Sequence, residues 1–223
     1  MLSDVMEDYL KVIYQLQHGR EERIRTKEIA EELDVTSPAV TSMVENLAER
    51  GLVDRKKYAG VRLTPEGVTV ALEVIRHHRL LEAYLAEHLD YDWTEVHEEA
   101  DRLEHHISED FERRLADALD DPDVDPHGSP IPGENLEPPD AAIGEPLSTF
   151  EEGDTVVVEE VADEDPAVLS YLADHGLEPD VELVILEIAP FGMVTVEVSG
   201  VDDPVSLPQN VATHVRVSPV DDR

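Results

Sequence analysis

Apolar residues return every three or four positions at the start of the chain, where Val5, Tyr9, Val12, Ile13 and Leu16 share one face of a predicted helix that Ser3 can cap and that ends near Gly19. A second short helix is predicted after Thr26, with Glu28 early in it and Ile29, Ala30 and Leu33 apolar. The stretch VTSPAVTSMVENLAERG then reads as turn, helix and glycine stop: Ser37 serves as N-cap, Pro38 takes the first helical position, and Gly51 stands where a left-handed C-cap is wanted. Two short helices joined by a tight turn, the second rich in hydroxyl side chains, form a helix-turn-helix. LVDRKKYAGVRLTPEG follows as two short apolar arms around a turn containing Ala59 and Gly60, which is a winged hairpin.

The period stays helical beyond the wing. Thr64 and Pro65 start a long helix through about His88, with Val70, Val74, Leu81 and Leu85 among its apolar positions, and further helices are predicted over Val96 to Ile107 and from about Glu109 to Leu119. Long helices beside a small DNA-binding head commonly build a dimer interface, and a dimer suits a two-fold symmetric operator. Between 120 and 147 periodicity fades and seven of the fifteen prolines gather, so this stretch reads as a linker or extended arm. From Leu147 onward the period becomes two. DTVVVEEV, VELVILEI, MVTVEVSG and ATHVRVSP read as strands, with a short helix at PAVLSYLADHG, and a small, partly open barrel of about 70 residues fits. The predicted fold class is α+β. Its divisions are a winged helix-turn-helix DNA-binding domain (1–64), an all-α dimerisation domain (65–120), a proline-rich linker (121–147) and a small SH3-like β-barrel (148–218).

Composition narrows the chemistry. The 223 residues contain no cysteine, which excludes disulfides, thiolate metal sites and cysteine nucleophiles and leaves oxygen and imidazole as metal ligands. The first segment is neither a signal peptide nor a membrane span, and no later stretch approaches 18 apolar residues, so a soluble cytoplasmic protein is expected. The net charge of -36 would ordinarily argue against a nucleic-acid partner. It also fits a hydrated acidic surface of the halophilic kind, in molar salt that shortens the Debye length to about 3 Å. The charge is uneven as well. Residues 115–215 contain no lysine or arginine, whereas 20–62 hold nine of the seventeen, and a polyanion could dock there.

Histidine is more informative than acid in so acidic a chain. Six of the ten histidines fall between positions 77 and 106, and a helix over Val96 to Ile107 would place His97, Asp101, Glu104 and His105 on one face. His78 and Glu82 repeat the spacing of four residues on the preceding helix. A solvated, salt-bridged helix pair would have the same pattern, and composition does not separate the two readings.

The order of elements, together with MEDYLKVIY (6–14), SPAVTSMV (37–44), HRLLE (78–82), VHEEADRLEHHIS (96–108) and SPIPG (129–133), resembles the diphtheria toxin repressor family of metal-dependent transcriptional regulators, including its manganese-responsive branch. The resemblance covers essentially the whole chain. It implies one metal site built from Asp8, Asp101, Glu104 and His105 and a second from His78, Glu82 and His97, with Glu164 or Asp165 of an FeoA-type barrel as a further donor. Val168 stands where iron-dependent members have a polar side chain. Lys11 stands where manganese members often have glutamate, which argues against a closely spaced binuclear site.

Three carboxylates and one imidazole form a hard donor set that suits Mn(II), with Fe(II) as the alternative. The implied function is a homodimeric repressor of metal-homeostasis genes with the metal as corepressor and no enzymatic activity. On the DNA side, Ser37, Pro38, Thr41 and Ser42 occupy the first turns of the recognition helix, although capping would also account for such hydroxyls. Arg25, Lys27, Lys56 and Lys57 are phosphate candidates. A metal-independent winged-helix regulator answering to an organic ligand is the alternative, and it predicts DNA binding that ignores chelators. A hydrolytic metal enzyme would also use such ligands, but no nucleophile motif or phosphate loop accompanies them.

Overall fold

The helix-turn-helix and wing are built from residues close in sequence. A computed structural model describes residues 2–139, 144–162, 165–190 and 192–220. Its contacts divide into two compact units, the first comprising residues 1–78, 101–112 and 132–141. In it, α1 (Asp4–Gln17) buries Met6, Tyr9, Leu10 and Ile13, with Val12, Tyr14 and Leu16 partly buried against the same cluster. α2 (Thr26–Glu32) and α3 (Ser37–Glu49) add Ile29, Ala30, Val40, Val44 and Leu47 to the same cluster. β1 (Val53–Lys56) pairs antiparallel with β2 (Gly60–Leu63), and Ile24 bridges to Val61, tying the wing to the chain before α2. Gly60 is obligatory in that tie: its φ is +106°, and a Cβ there would stand 2.4 Å from the Ile24 carbonyl oxygen. Burial of each large aliphatic side chain in this cluster stabilises by about 1.5–3 kcal/mol.

Two local expectations are corrected here. Ser37 is already helical; the N-cap of α3 is Thr36, whose hydroxyl accepts from Ala39 N–H at 3.4 Å, which moves Pro38 to the second helical position. Thr and Ser are near-equivalent caps, and two adjacent candidates leave the register open by one. The second correction affects the metal chemistry. α4 (Pro65–Leu89) runs as predicted, but α5 (Val96–Leu103) stops short of Ile107, and Glu104, His105 and His106 form a turn closed by His106 N–H to Leu103 O at 2.9 Å. Glu104 and His105 therefore do not continue the helical face of His97 and Asp101. α6 (Glu109–Ala118) follows.

The second unit comprises residues 79–100, 113–131 and 142–223. Its sheet has the order β3-β8-β4-β5-β6-β7, every pair antiparallel, from β3 (Glu145–Pro146), β4 (Thr155–Val161), β5 (Glu182–Ile188), β6 (Met193–Val198), β7 (Val205–Pro208) and β8 (Val215–Pro219). The alternating residues Val156, Val158, Leu183, Ile185, Val194, Val196, Val215 and Val217 fill its interior, covered by Leu169 and Leu172 of α7 (Pro166–Asp174). β3 and β7 are too short to have shown a period in the sequence. α8 (Gln209–Ala212) is a single turn before β8.

Part of the proline-rich stretch is structured in this unit. Asp125 Oδ1 accepts the N–H groups of His127 and Ser129 at 2.8 and 3.0 Å, closing a tight turn. Val161 N–H donates to the His127 carbonyl at 2.9 Å, and Ser129 Oγ donates to Glu160 at 2.6 Å, so the turn lies against β4. Gly128 makes that approach possible, because its φ is +86° and a Cβ would fall 1.9 Å from the Glu159 carbonyl oxygen.

Candidate metal centres and nucleic-acid surface

In the first unit α1 supplies Glu7, Asp8 and Lys11, α4 supplies His77 and His78, and the end of α5 with its following turn supplies Asp101, Glu104 and His105. Asp8, Glu104 and His105 each offer a donor atom to one point, with these atoms within 4.8 Å of one another. Metal–ligand bonds of about 2.0–2.2 Å place two donors on one ion up to roughly 4.4 Å apart, so the three are at or near the spacing an ion requires. Glu7 was not anticipated as part of this site. It takes His105 Nδ1 at 2.8 Å while Asp8 takes Nε2 at 2.8 Å, so the ring is held between adjacent carboxylates of α1.

That clamp has an electrostatic consequence. The Asp8 hydrogen bond, opposed by burial and aided by Glu7 and Glu104, pushes the His105 imidazole up to about 9. At Glu104, burial alone would raise the carboxyl, but the His78 hydrogen bond and the Lys11 ammonium outweigh it and hold the group below the ordinary value. Without metal, His105 is an imidazolium that ties α1 to the turn after α5. Because the folded pKa is raised, this contribution is complete below the ordinary histidine value near 6.5 and is lost as pH climbs through about 9. Metal-free protein should therefore lose on the order of 1–2 kcal/mol of stability across that window, after discounting for solvent screening. Thermal melts from pH 6 to 9.5 check it. Asp8→Asn should flatten the slope, and a flat wild-type profile would contradict the clamp.

Of the trio His78, Glu82 and His97, the first lies in the first unit and the other two in the second. His78 belongs to the first unit, where Nδ1–H donates to Glu104 Oε2 at 2.5 Å. Glu82 and His97 belong to the second, with His97 Nδ1 at 3.2 Å from Glu82 Oε1. There Glu82 meets two residues outside the predicted set: its Oε2 lies 3.8 Å from His127 Nδ1, which is 4.0 Å from Asp125 Oδ1. All three side chains are buried, at 0%, 0% and 1% exposure. His127 Nε2–H donates to the Trp93 carbonyl at 2.8 Å, so in the neutral ring Nδ1 carries the lone pair, turned toward two carboxylates at distances too long for hydrogen bonds. An imidazole lone pair and two carboxylates around one buried point are a fit for a divalent cation. The tight D-P-H-G turn ahead of the PIPG motif, in a segment that composition marked as linker, was the available signal. Asp165 caps α7, accepting from Ala167 and Val168 N–H at 2.9 and 3.3 Å. Glu164 lies outside the described residues.

Opposite in charge is a cavity of about 350 Å³ between the helix-turn-helix and the wing, bordered by Arg25, Lys27, Thr41, Arg55, Lys56, Lys57 and Tyr58. Several cations of this region are bound internally: Arg23 pairs with Asp54, Lys27 with Glu31 at 3.0 Å and Arg55 with Glu45 at 2.7 Å. Arg25, Lys56 and Lys57 make no carboxylate pair among the described residues. Ser37, Pro38 and Ser42 are exposed on α3, whereas the Thr41 hydroxyl donates to the Ser37 carbonyl at 2.9 Å. Tyr58, which the sequence reading passed over, is 97% exposed at the wing tip with φ +66°, and Lys57 Nζ stands 5.2 Å from its ring centroid.

Comparison with known proteins agrees with these features along the chain. Residues 1–61 match the description "iron dependent repressor, N-terminal DNA binding domain", 64–133 "iron dependent repressor, metal binding and dimerisation domain", and 145–219 "FeoA domain". The chain is 34% identical over 230 residues to the iron-dependent repressor IdeR of Mycobacterium leprae, covering 98% of this chain and 99% of that protein. It is also 34% identical to the diphtheria toxin repressor of Corynebacterium glutamicum, covering 99% and 98%. Among solved structures, a manganese-dependent transcriptional repressor in complex with manganese superposes with a TM-score of 0.89 at 37% identity, covering 96% of this chain and 100% of that one.

Proposed function

The chain belongs to the iron-dependent repressor family, that of the diphtheria toxin repressor, and is a metal-dependent DNA-binding transcriptional repressor with a dimerisation domain; from this premise we propose which residues take the metal and how they govern the head. The first site is Asp8, Glu104 and His105, with Asp101 beside it. The second is Glu82, Asp125 and His127, with His97 on Glu82. The observation that carries the reading is the span of the first cluster, from α1, whose apolar stripe is part of the winged-helix core, to the turn after α5.

A divalent cation bound there supplies two positive charges where Asp8, Glu104 and the neutral form of His105 converge. Asp8 and Glu7 then no longer need the imidazolium to hold α1, and because His105 must give up its proton, affinity rises with pH. With α1 held, the α3 pair of a homodimer keeps one half-site spacing, and the population shifts toward the DNA-competent state. Neither cluster has a sulfur donor, which supports Mn(II) over softer ions, with Fe(II) as the alternative. Among the described residues no helix is long and apolar enough to cross a membrane, and we place the protein in the cytoplasm, repressing genes of metal homeostasis. The deciding experiment measures operator binding with Mn(II), with Fe(II) and with chelator. Binding indifferent to all three would favour an organic-ligand regulator.

For the DNA surface, Arg25, Lys56 and Lys57 meet phosphates, with Lys27 beside them, while Ser37, Pro38, Ser42 and the Thr41 methyl face base edges. Each phosphate contact contributes about 0.9 to the slope of log affinity against log salt. Lys56→Ala with Lys57→Ala should flatten that slope by nearly two and cost little affinity at molar KCl. Tyr58→Ala should weaken binding by a similar factor at every salt concentration, since stacking and wedge contacts release no counterions. Fluorescence anisotropy with a labelled operator from 0.1 to 2 M KCl separates the two, and equal salt dependence for both variants would refute the division.

A further inference from the structure

Two consecutive residues of α4 hold Glu104 from opposite ends. Neighbours on a helix point about 100° away from each other, and here His78 Nδ1 meets the Glu104 carboxylate at 2.5 Å while His77 Nδ1 stands 3.1 Å from the Glu104 main-chain oxygen. A carbonyl only accepts, so His77 Nδ1 is the donor. On the far side of the ring, Nε2 lies 3.3 Å from Glu112 Oε2, and the other oxygen of that carboxylate takes Arg76 Nε at 2.5 Å. Arg76 also donates to the Pro132 carbonyl at 2.6 Å. All three side chains are nearly buried, His77 and Arg76 at 9% exposure and Glu112 at 14%. None of them belongs to the trio that converges at Asp8.

We propose that His77 is a positioning residue of the first metal site, fixing the peptide between Glu104 and His105 so that both side chains are aimed before an ion arrives. The proposal rests on the assignment of Asp8, Glu104 and His105 as a metal site. The Glu104 carbonyl and the His105 N–H belong to one planar unit, so a bond to that oxygen sets the plane joining the two ligand-bearing Cα atoms. The constraint is needed because α5 ends at Leu103 and the next two residues lie in a turn, where no helix ladder defines the peptide. Without it the peptide is free to rotate, and part of the free energy of metal binding goes into ordering it. Glu112 stands behind the His77 ring, and Arg76 holds Glu112 in turn, so the donor keeps its place.

The test uses the full chain, Mn(II) alone as the probe, and fluorescence anisotropy with a labelled operator. His77→Phe keeps a ring of similar shape without an N–H. The Mn(II) concentration for half-maximal operator binding should rise about 10–100-fold, the usual effect of losing a partner that orients a ligand, whereas operator affinity at saturating Mn(II) should match wild type. His77→Asn places an amide N–H close to where Nδ1–H stands and should restore the wild-type Mn(II) requirement. His77→Leu takes the place of the phenylalanine variant should that chain not fold. An unshifted requirement in a folded His77→Phe or His77→Leu chain overturns the proposal. So does an operator affinity that stays low at saturating Mn(II), or an equal shift in His77→Asn, since either marks a residue that only supports the fold. Asp8→Asn separates the two layers of argument. If it leaves the Mn(II) requirement unchanged, the underlying site assignment fails; if it raises the requirement while loss of His77 does not, only the role of His77 fails.

Discussion

Glu104→Gln is expected to remove the metal dependence of operator binding while leaving a folded dimer. Glu104 is 1% exposed and contacts His105 through one oxygen and Lys11 and His78 through the other, so no neighbour can take over both roles. Glutamine keeps the shape, but it removes the charge and replaces one donor oxygen with an amide. Loss of an outer-shell partner of a ligand costs about 10–100-fold in metal affinity, and loss of a ligand itself should cost at least the upper figure. The Mn(II) concentration for half-maximal operator binding should therefore rise about 100-fold or more, read by anisotropy. Breaking a buried charge pair costs about 3–5 kcal/mol when the remaining partner is left alone. Lys11 keeps Asp101 at 3.1 Å, so the cost to folding should fall below that range. Circular dichroism and gel filtration check fold and dimer, and an unshifted Mn(II) response in a folded variant would reject the first site. The same change at Asp101, 49% exposed and outside the converging trio, should shift the response less.

The contrast between these carboxylates shows how far the sequence could be read. Periodicity located α1, α3, the wing, α4 and β4 to β6 because each buries a long stripe or an alternating face, and burial is what a period records. It did not locate the end of α5. No glycine or proline marks the stop at Leu103, and Glu104 and His105 look equally suited to one more helical turn; the hydrogen bonds of the turn to distant residues settle the matter. Glu7 and Asp125 were invisible for another reason. With 53 acids in the chain, a carboxylate becomes informative only when a buried partner singles it out. His127 carried a stronger signal, a histidine in a proline-rich stretch, and it went unused because that stretch reads as linker unless Gly128 is known to lie on β4. His78 Nδ1 lies 2.5 Å from Glu104 Oε2 and Glu82 Oε2 3.8 Å from His127 Nδ1, contacts with residues far along the chain that a spacing of four on one helix does not reveal.

Chelation is expected to lower the melting temperature by several degrees, and Glu82→Gln should shrink that shift with a sign unusual for a buried substitution. Glu82 and Asp125 are two carboxylates with almost no exposure, and the cost of taking a charge out of water is several kcal/mol per ion unless it is compensated. His97 at 3.2 Å from Glu82 and Arg79 at 3.5 Å from Asp125 offset part of it. His127 contributes less, since its Nδ1 sits at 3.8 and 4.0 Å from the two carboxylates. A divalent cation held by both carboxylates and His127 would offset more of it, so metal binding here is partly folding energy. Free Mn(II) at 100 times its dissociation constant stabilises the native state by about 2.7 kcal/mol per site. For a chain of this size that corresponds to roughly 5–10 °C. Removing the Glu82 charge relieves the metal-free form and weakens the loaded one, so the variant should melt no lower than wild type in chelator and clearly lower in Mn(II). An ordinary core residue would lose stability equally in both. Equal losses in both conditions would make Glu82 a structural carboxylate and confine metal control to the Asp8 cluster.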